Sequence, residues 1–396
     1  MVVRIGMIGA GFIARLHATA LRSLGPDAAQ IVGVAARTEG PREQFASEFG
    51  IQDTYADYRD LLARADVDAV DLCVPNHLHH PMTVAAAQAG KHVYCEKPLT
   101  GYFGRGEAPE QVSKTPREVM LRETLADSDE MLAACAAAGV QLCYGEDWVY
   151  APVLEKARRL VQVSNSPIME LRGEESHNGS HADYAKRWAT SGGGALLRLG
   201  VHPIGAALQL KRWEGQLRHG RPIRAAAVTA EVATLTDIGG VPRDEGSWLV
   251  TDWVDVENWS TTIIHFEDGS RGVFIASDNI LGGIVNYLEL TLAHGRIKCN
   301  MTPNNMCEAY AADGTVWGDE YITEKIQTSA GWTYPSPDED WVRGFPHELA
   351  DFVAATRDNR PPLSDGELGR DCVEVIYAAY LAAERGARVT LPFNAS

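Results

Sequence analysis

Gly9-Ala10-Gly11-Phe12-Ile13-Ala14 follows an apolar run, Val3 to Ile8, and opens a helical pattern from Ala14 to Leu24. Glycine at 9 permits a tight turn, and glycine at 11 lets backbone approach a pyrophosphate. The small Ala14 permits close helix packing, and the helix N-terminus faces the phosphates. A dinucleotide is the ligand such an arrangement takes, with Gly9, Gly11, Phe12 and Ile13 expected along it. The next strand of such a unit normally ends in an acid for the adenosine ribose; here it ends in Ala35-Ala36-Arg37-Thr38. Arg37 suits a 2′-phosphate and NADP, or stacking on adenine with NAD, so both remain open, with Ala36 and Arg37 as the contacts.

From Val3 to about Asp147, short apolar runs alternate with helical stretches, which predicts right-handed crossovers and a doubly wound parallel α/β sheet. Gly101 to Pro116 reads as an inserted loop, expected at the carboxyl edge of that sheet, where ligands bind. After Val149 the runs lengthen: Ile168 to Gly173, Ile223 to Leu235, Trp259 to Phe266, Gly272 to Ser277, Tyr287 to Leu292 and Arg296 to Cys299. Asp268-Gly269 marks a hairpin turn. Helices are expected at Val153 to Val163, Ala195 to Leu210, His347 to Thr356 and Gly366 to Glu384. The expected division is a dinucleotide-binding domain over 1–147 and a substrate-binding and oligomerisation domain over 148–396, with a large, mostly antiparallel open sheet. Its C-terminal helices are free to pack back on the first domain.

The 396 residues carry 53 acidic and 36 basic groups, a net charge of −17 with His neutral. Such a field repels phosphate backbones and anionic lipid, which excludes nucleic acid and membrane surfaces as expected partners. The seven cysteines form no CxxC pair, and no window reaches the roughly 18 apolar residues of a membrane span. A cytoplasmic protein is expected.

Together, Gly9 to Ala14, Val74-Pro75-Asn76-His77-Leu78-His79, Glu96-Lys97-Pro98, Gly192 to His202, Asn359-Arg-Pro-Pro-Leu and Val389-Thr-Leu-Pro392 resemble the Gfo/Idh/MocA family of nicotinamide-dependent sugar and polyol oxidoreductases. The likeness runs over nearly the whole chain. It implies an N-terminal Rossmann domain, a C-terminal α/β domain and a homo-oligomer, dimer or tetramer. Position by position it implies that Pro75, Asn76, His79, Glu96 and Lys97 face the cofactor, that Lys97 polarises the reacting hydroxyl, and that His202 is the acid/base.

Two departures bear on the reaction. The family usually has an acid four residues before the histidine and another three after it; here stand Arg198 and Gly205. At helical spacing Arg198 and His202 share a face, which sets a cation beside the imidazole. The stretch Gly173 to Trp188 also gathers His177, Asn178, His181, Lys186, Arg187 and Trp188, a set able to cradle an anionic head group. Tyr144, Glu146, Asp147 and Tyr150 are further acid or base candidates, with Tyr144 expected at the substrate. His177 and His181 are spaced for one helix face, but no third ligand accompanies them and no metal is expected.

These departures, with the Tyr144 to Tyr150 run and the Gly101 to Pro116 loop, give as leading expectation a glycosidase that recycles its cofactor on an anionic, sulfoquinovoside-like sugar. It proceeds by transient C3 oxidation, elimination across C1 and C2, water addition and re-reduction. The alternative is a net NAD(P)-dependent sugar or polyol dehydrogenase or reductase.

Overall fold

The computed structural model describes residues 1–243, 247–302, 307–336 and 338–393. They form two compact units, each assembled from three chain segments.

The first unit comprises Met1–Gly101, Glu123–Tyr150 and Gly344–Val373. Its sheet has the strands β1 (Val3–Ile8), β2 (Ala29–Ala35), β3 (Thr54–Tyr55), β4 (Ala69–Leu72), β5 (His92–Glu96) and β6 (Leu142–Gly145). They lie in the order β3-β2-β1-β4-β5-β6, all parallel. A parallel sheet is covered on both faces, which is why β4, Ala-Val-Asp-Leu, is buried throughout and lacks polar alternation. The order reverses between β1 and β4, and the carboxyl ends of these two strands are where a doubly wound sheet opens a crevice. The helix Phe345–Asp358, from the third segment, packs against the helix Phe12–Ser23. It is tied to β5 by the Tyr94 hydroxyl, 2.8 Å from that of Thr356.

The second unit comprises Tyr102–Arg122, Ala151–Arg343 and Glu374–Ser396. Its main strands are β7 (Ile168–Ser176), β8 (Ala225–Ala233), β9 (Trp259–Phe266), β10 (Arg271–Ser277), β11 (Val285–Leu292) and β12 (Gly295–Asn300). Two short strands, β13 (Ala309–Ala311) and β14 (Gly331–Thr333), form a separate ribbon, and β15 (Val389–Thr390) ends the series. The sheet order is β12-β11-β7-β10-β9-β8-β15. Every pairing is antiparallel except β7 with β10, which runs from Glu170↔Arg271 to Ser176↔Ser277. The β9–β10 hairpin turns at Asp268-Gly269, with Gly269 at φ +89°, as the sequence predicts.

The helix Val201–His219 lies on β7, where Gly173 leaves room for Pro203. The chain from Gly192 to His219 is not one helix. A four-residue helix, Ala195–Arg198, ends in a turn at Leu199-Gly200 before the longer one starts. The expected common face for Arg198 and His202 is therefore replaced by two helices with separate axes. The loop from Gly101 contains a short helix, Pro109–Val112, and is pinned within the second unit. There the Tyr102 backbone N–H donates to the Tyr377 hydroxyl at 2.6 Å. No described helix is long and apolar enough to cross a membrane.

Candidate functional site

In the first unit, the ends of β1, β2 and β4 surround a cavity of about 600 Å³. Gly9, Gly11, Ala36, Arg37 and Pro75 line it, and the crossing backbone is fixed by hydrogen bonds. The Gly9 N–H donates to Ala35 O at 2.9 Å, and the Cys73 N–H to Ile8 O at 2.9 Å. Gly9 sits at φ +116°, and a Cβ there would lie 2.1 Å from the Cys73 carbonyl oxygen, so only glycine fits. At Gly11 a Cβ would meet nothing within 4 Å, so this glycine borders open space, not a packed neighbour.

Gly11 is also the N-cap of the helix Phe12–Ser23, with no side-chain cap and no acid in the first turn. Uncapped N–H groups and the positive helix end, bordered by that open space, suit a pyrophosphate. The lining also holds residues the sequence reading passed over: Thr38, Asp57, Tyr58, Arg59 and His77. Asp57 comes from a loop after β3 and caps the next short helix, accepting the Arg59 N–H at 2.9 Å. A carboxylate thus reaches the cavity although none ends β2. Burial, reinforced by the nearby Arg37 charge, holds the His77 imidazole below its ordinary pKa.

Phe12, Ile13, Asn76, His79, Glu96 and Lys97 do not line this cavity. His79 is fully buried, its Nδ1 2.8 Å from the Pro98 carbonyl and its Nε2 3.0 Å from that of Val74. Burial keeps its pKa low, and a neutral ring donates from one nitrogen only, so His79 acts as a pin beneath the Lys97-Pro98 turn. Glu96 Oε2 accepts the Lys97 backbone N–H at 3.1 Å. Tyr144 is wholly buried in β6, where burial raises its hydroxyl well above the ordinary range.

In the second unit, His202 stands in the first turn of Val201–His219, 2% exposed, with Nε2 4.0 Å from Glu175 Oε2 on β7. The Arg198 guanidinium pairs with Asp278 just past β10 and stacks 5.0 Å from the Trp253 ring centre. Its charge is thereby paired with a buried carboxylate. His177 and Asn178 follow β7 directly, and Gly179 at φ +101° turns the chain. No helix covers 177–181, so the expected helix face for His177 and His181 is absent. His177 Nδ1 instead accepts the Gly179 N–H at 2.9 Å, and His181 is exposed.

The expected cationic cradle is largely compensated. Lys186 donates to Asp252 at 2.6 Å and lies 3.7 Å from Asp183, while Arg187 is exposed. Trp188 is core, its ring tilted against Tyr380 with centres 4.9 Å apart and covered by Arg117 at 4.0 Å. The residue is 1% exposed, which sets it in the packed interior of the second unit.

Residues 3–114 match the family of oxidoreductases with an NAD-binding Rossmann fold named Gfo/Idh/MocA. The chain is 26% identical over 371 residues to D-xylose 1-dehydrogenase (NADP(+)) 2 of Haloferax volcanii, covering 91% of this chain and 92% of that protein. It is 30% identical over 205 residues to the trans-1,2-dihydrobenzene-1,2-diol dehydrogenase of Mus musculus, covering 52% of this chain and 55% of that protein. The crystal structure of GenD2 from gentamicin A biosynthesis in complex with NAD superposes with a TM-score of 0.78 at 26% identity, covering 99% and 97% of the two chains. With the glycine cradle at the switch point of a 3-2-1-4-5-6 sheet, these likenesses identify residues 3–114 as an NAD-binding Rossmann domain of the Gfo/Idh/MocA oxidoreductase type.

Proposed function

We propose that the protein is an NAD(P)-dependent dehydrogenase or reductase of a sugar or polyol, with Lys97 and His202 as its catalytic pair. The open cradle at Gly11, bordered by an uncapped helix N-terminus, carries the cofactor half of this reading. The dehydrogenase names of the relatives, a D-xylose enzyme among them, support the substrate half. Bound nicotinamide supplies hydride transfer. The Lys97 ammonium polarises the reacting oxygen, and the His202 imidazole exchanges the proton released or consumed there.

The dehydrogenase names of the relatives favour this reading over the hydrolytic one. The latter drew on the lost acid at 198, the Tyr144 to Tyr150 run, the Gly101 to Pro116 loop and a basic stretch suited to an anionic sugar. Asp278 and Asp252 pair with Arg198 and Lys186. A sugar or polyol is the substrate class this reading takes.

The test is incubation with NAD or NADP and a panel of aldoses and polyols, following the absorbance of reduced nicotinamide. Stoichiometric reduction is expected. Aglycone release from aryl glycosides, with no accumulation of reduced cofactor, would overturn the reading. Lys97→Ala should lower kcat by roughly 10²- to 10⁴-fold while cofactor affinity is kept.

A further inference from the structure

Beneath the Lys97 turn lies a cluster that the proposed chemistry does not use. His17, on the helix Phe12–Ser23, is 1% exposed and carries carboxyl groups at both ends of its ring. Nδ1 meets both oxygens of Asp71 on β4, at 2.9 and 3.1 Å. Nε2 lies 3.0 Å from Glu96 Oε1 at the end of β5, an ion-pair contact whose angle is poor for a hydrogen bond. Glu348, from the helix Phe345–Asp358, stands 4.0 Å from the same nitrogen. The Cys73 thiol is 3.6 Å from Nδ1 and donates to Asp71. All are buried, and Glu146 and Asp147 face Glu348 from the third side.

One imidazole among three carboxyl groups is stable only as the cation. Burial works against that charge, but Asp71 and the other partners outweigh it and raise the pKa well above its ordinary value. Burial also pushes the Glu348 carboxyl well above its ordinary pKa, which favours its neutral form beside Glu96. The imidazolium thus lies between the carboxyl groups of Asp71 and Glu96, and the other oxygen of Glu96 accepts the Lys97 N–H.

We propose that His17 is a positioning residue for the reaction: through Glu96 it fixes the backbone of Lys97 and so the direction from which the ammonium meets substrate. The inference rests on Lys97 being the reacting amine. It gives His17 a role separate from the glycine cradle that opens the same helix.

Steady-state kinetics of His17→Gln, Glu96→Gln and the double variant, on protein first shown to be folded by circular dichroism, test it. Each single substitution should lower kcat about tenfold or more, with KM and the calorimetric Kd for NAD⁺ within about threefold of the parent. The double variant should be no slower than the slower single one, because both remove one contact. Losses that multiply in the double variant, or parental kcat in either folded single variant, overturn the inference. Should His17→Gln not fold, Asp71→Asn, which loosens the anchor of the ring, is read in its place by the same criteria. Full activity in Lys97→Ala would overturn the proposed function itself. Loss in Lys97→Ala beside parental rates in the His17 and Glu96 variants would overturn this inference alone.

Discussion

Arg198 and Asp278 form an ion pair sealed from solvent, 8% and 0% exposed, with the guanidinium lying over Trp253. Burial pushes the Asp278 carboxyl above its ordinary range even against the pull of Arg198. Removing one partner strands a charge in the interior, so Arg198→Ala should cost about 3–5 kcal/mol of stability. Arg198→Met with Asp278→Leu should recover most of that loss. Urea titrations of the single and double variants check this, and equal losses in both would contradict it.

The two glycines of the cradle should fail in different ways. Gly9→Ala forces a Cβ against the Cys73 carbonyl at an unfavourable φ, and the protein should lose several kcal/mol or fail to fold. Gly11→Ala meets no protein atom and should melt as the parent does. It should nonetheless bind NAD⁺ at least tenfold more weakly, about 1.4 kcal/mol. Calorimetry beside a thermal melt separates the outcomes.

Stability should fall as the solution is made alkaline. His17 and Glu348 both hold a proton more firmly in the folded state than in the unfolded chain. The folded state then binds more protons, and unfolding free energy declines with rising pH. The decline starts above about 4.5 for Glu348 and above about 6.5 for His17, by at most about 1.4 kcal/mol per pH unit for each proton. His77, His79, His92, His265 and His347 are shifted downward, so their opposite contribution is complete by about pH 7.5. Between about pH 7.5 and 9 the parent should lose stability faster than His17→Gln. Denaturant titrations across that interval decide it; parallel curves would count against a charged His17.

The cavity lined by the glycines also carries Arg37, Arg59 and Asp57. A guanidinium can clamp a 2′-phosphate and a carboxylate can take the ribose hydroxyls. Arg37→Ala should weaken NADP about tenfold while changing NAD less than about threefold, and Asp57→Ala should do the reverse. Fluorescence titration with both cofactors reads the two ratios.

Much of the first unit was legible because its signals are local. Gly9 to Ala14 follows one strand and begins one helix, and the alternating pattern around it fixes a parallel sheet. The hairpin at Asp268-Gly269 was legible for the same reason. What escaped depends on distant pairing or on a single backbone angle. His17 finds Asp71 54 positions away, and Arg198 finds Asp278 80 positions away, so neither ion pair leaves a periodic trace. Gly179 with its positive φ, and the turn at Leu199-Gly200, break two stretches that helical spacing joins. The cations beside Trp188 in the chain give no sign of its burial. Arg117 and Tyr380, which bury it, lie in other segments of the same unit.

The helix Phe345–Asp358 carries Glu348 to His17 and Thr356 to Tyr94, although about 250 residues or more separate each pair in the chain. A ribosome adding on the order of 5–20 residues per second must work for many seconds after the glycine loop emerges before that helix exists. The nascent cofactor-binding unit therefore waits with its interior uncovered until the last segments arrive. A stop codon anywhere between positions 150 and 344 would release a chain that holds the nucleotide motif but lacks the helix that closes over it.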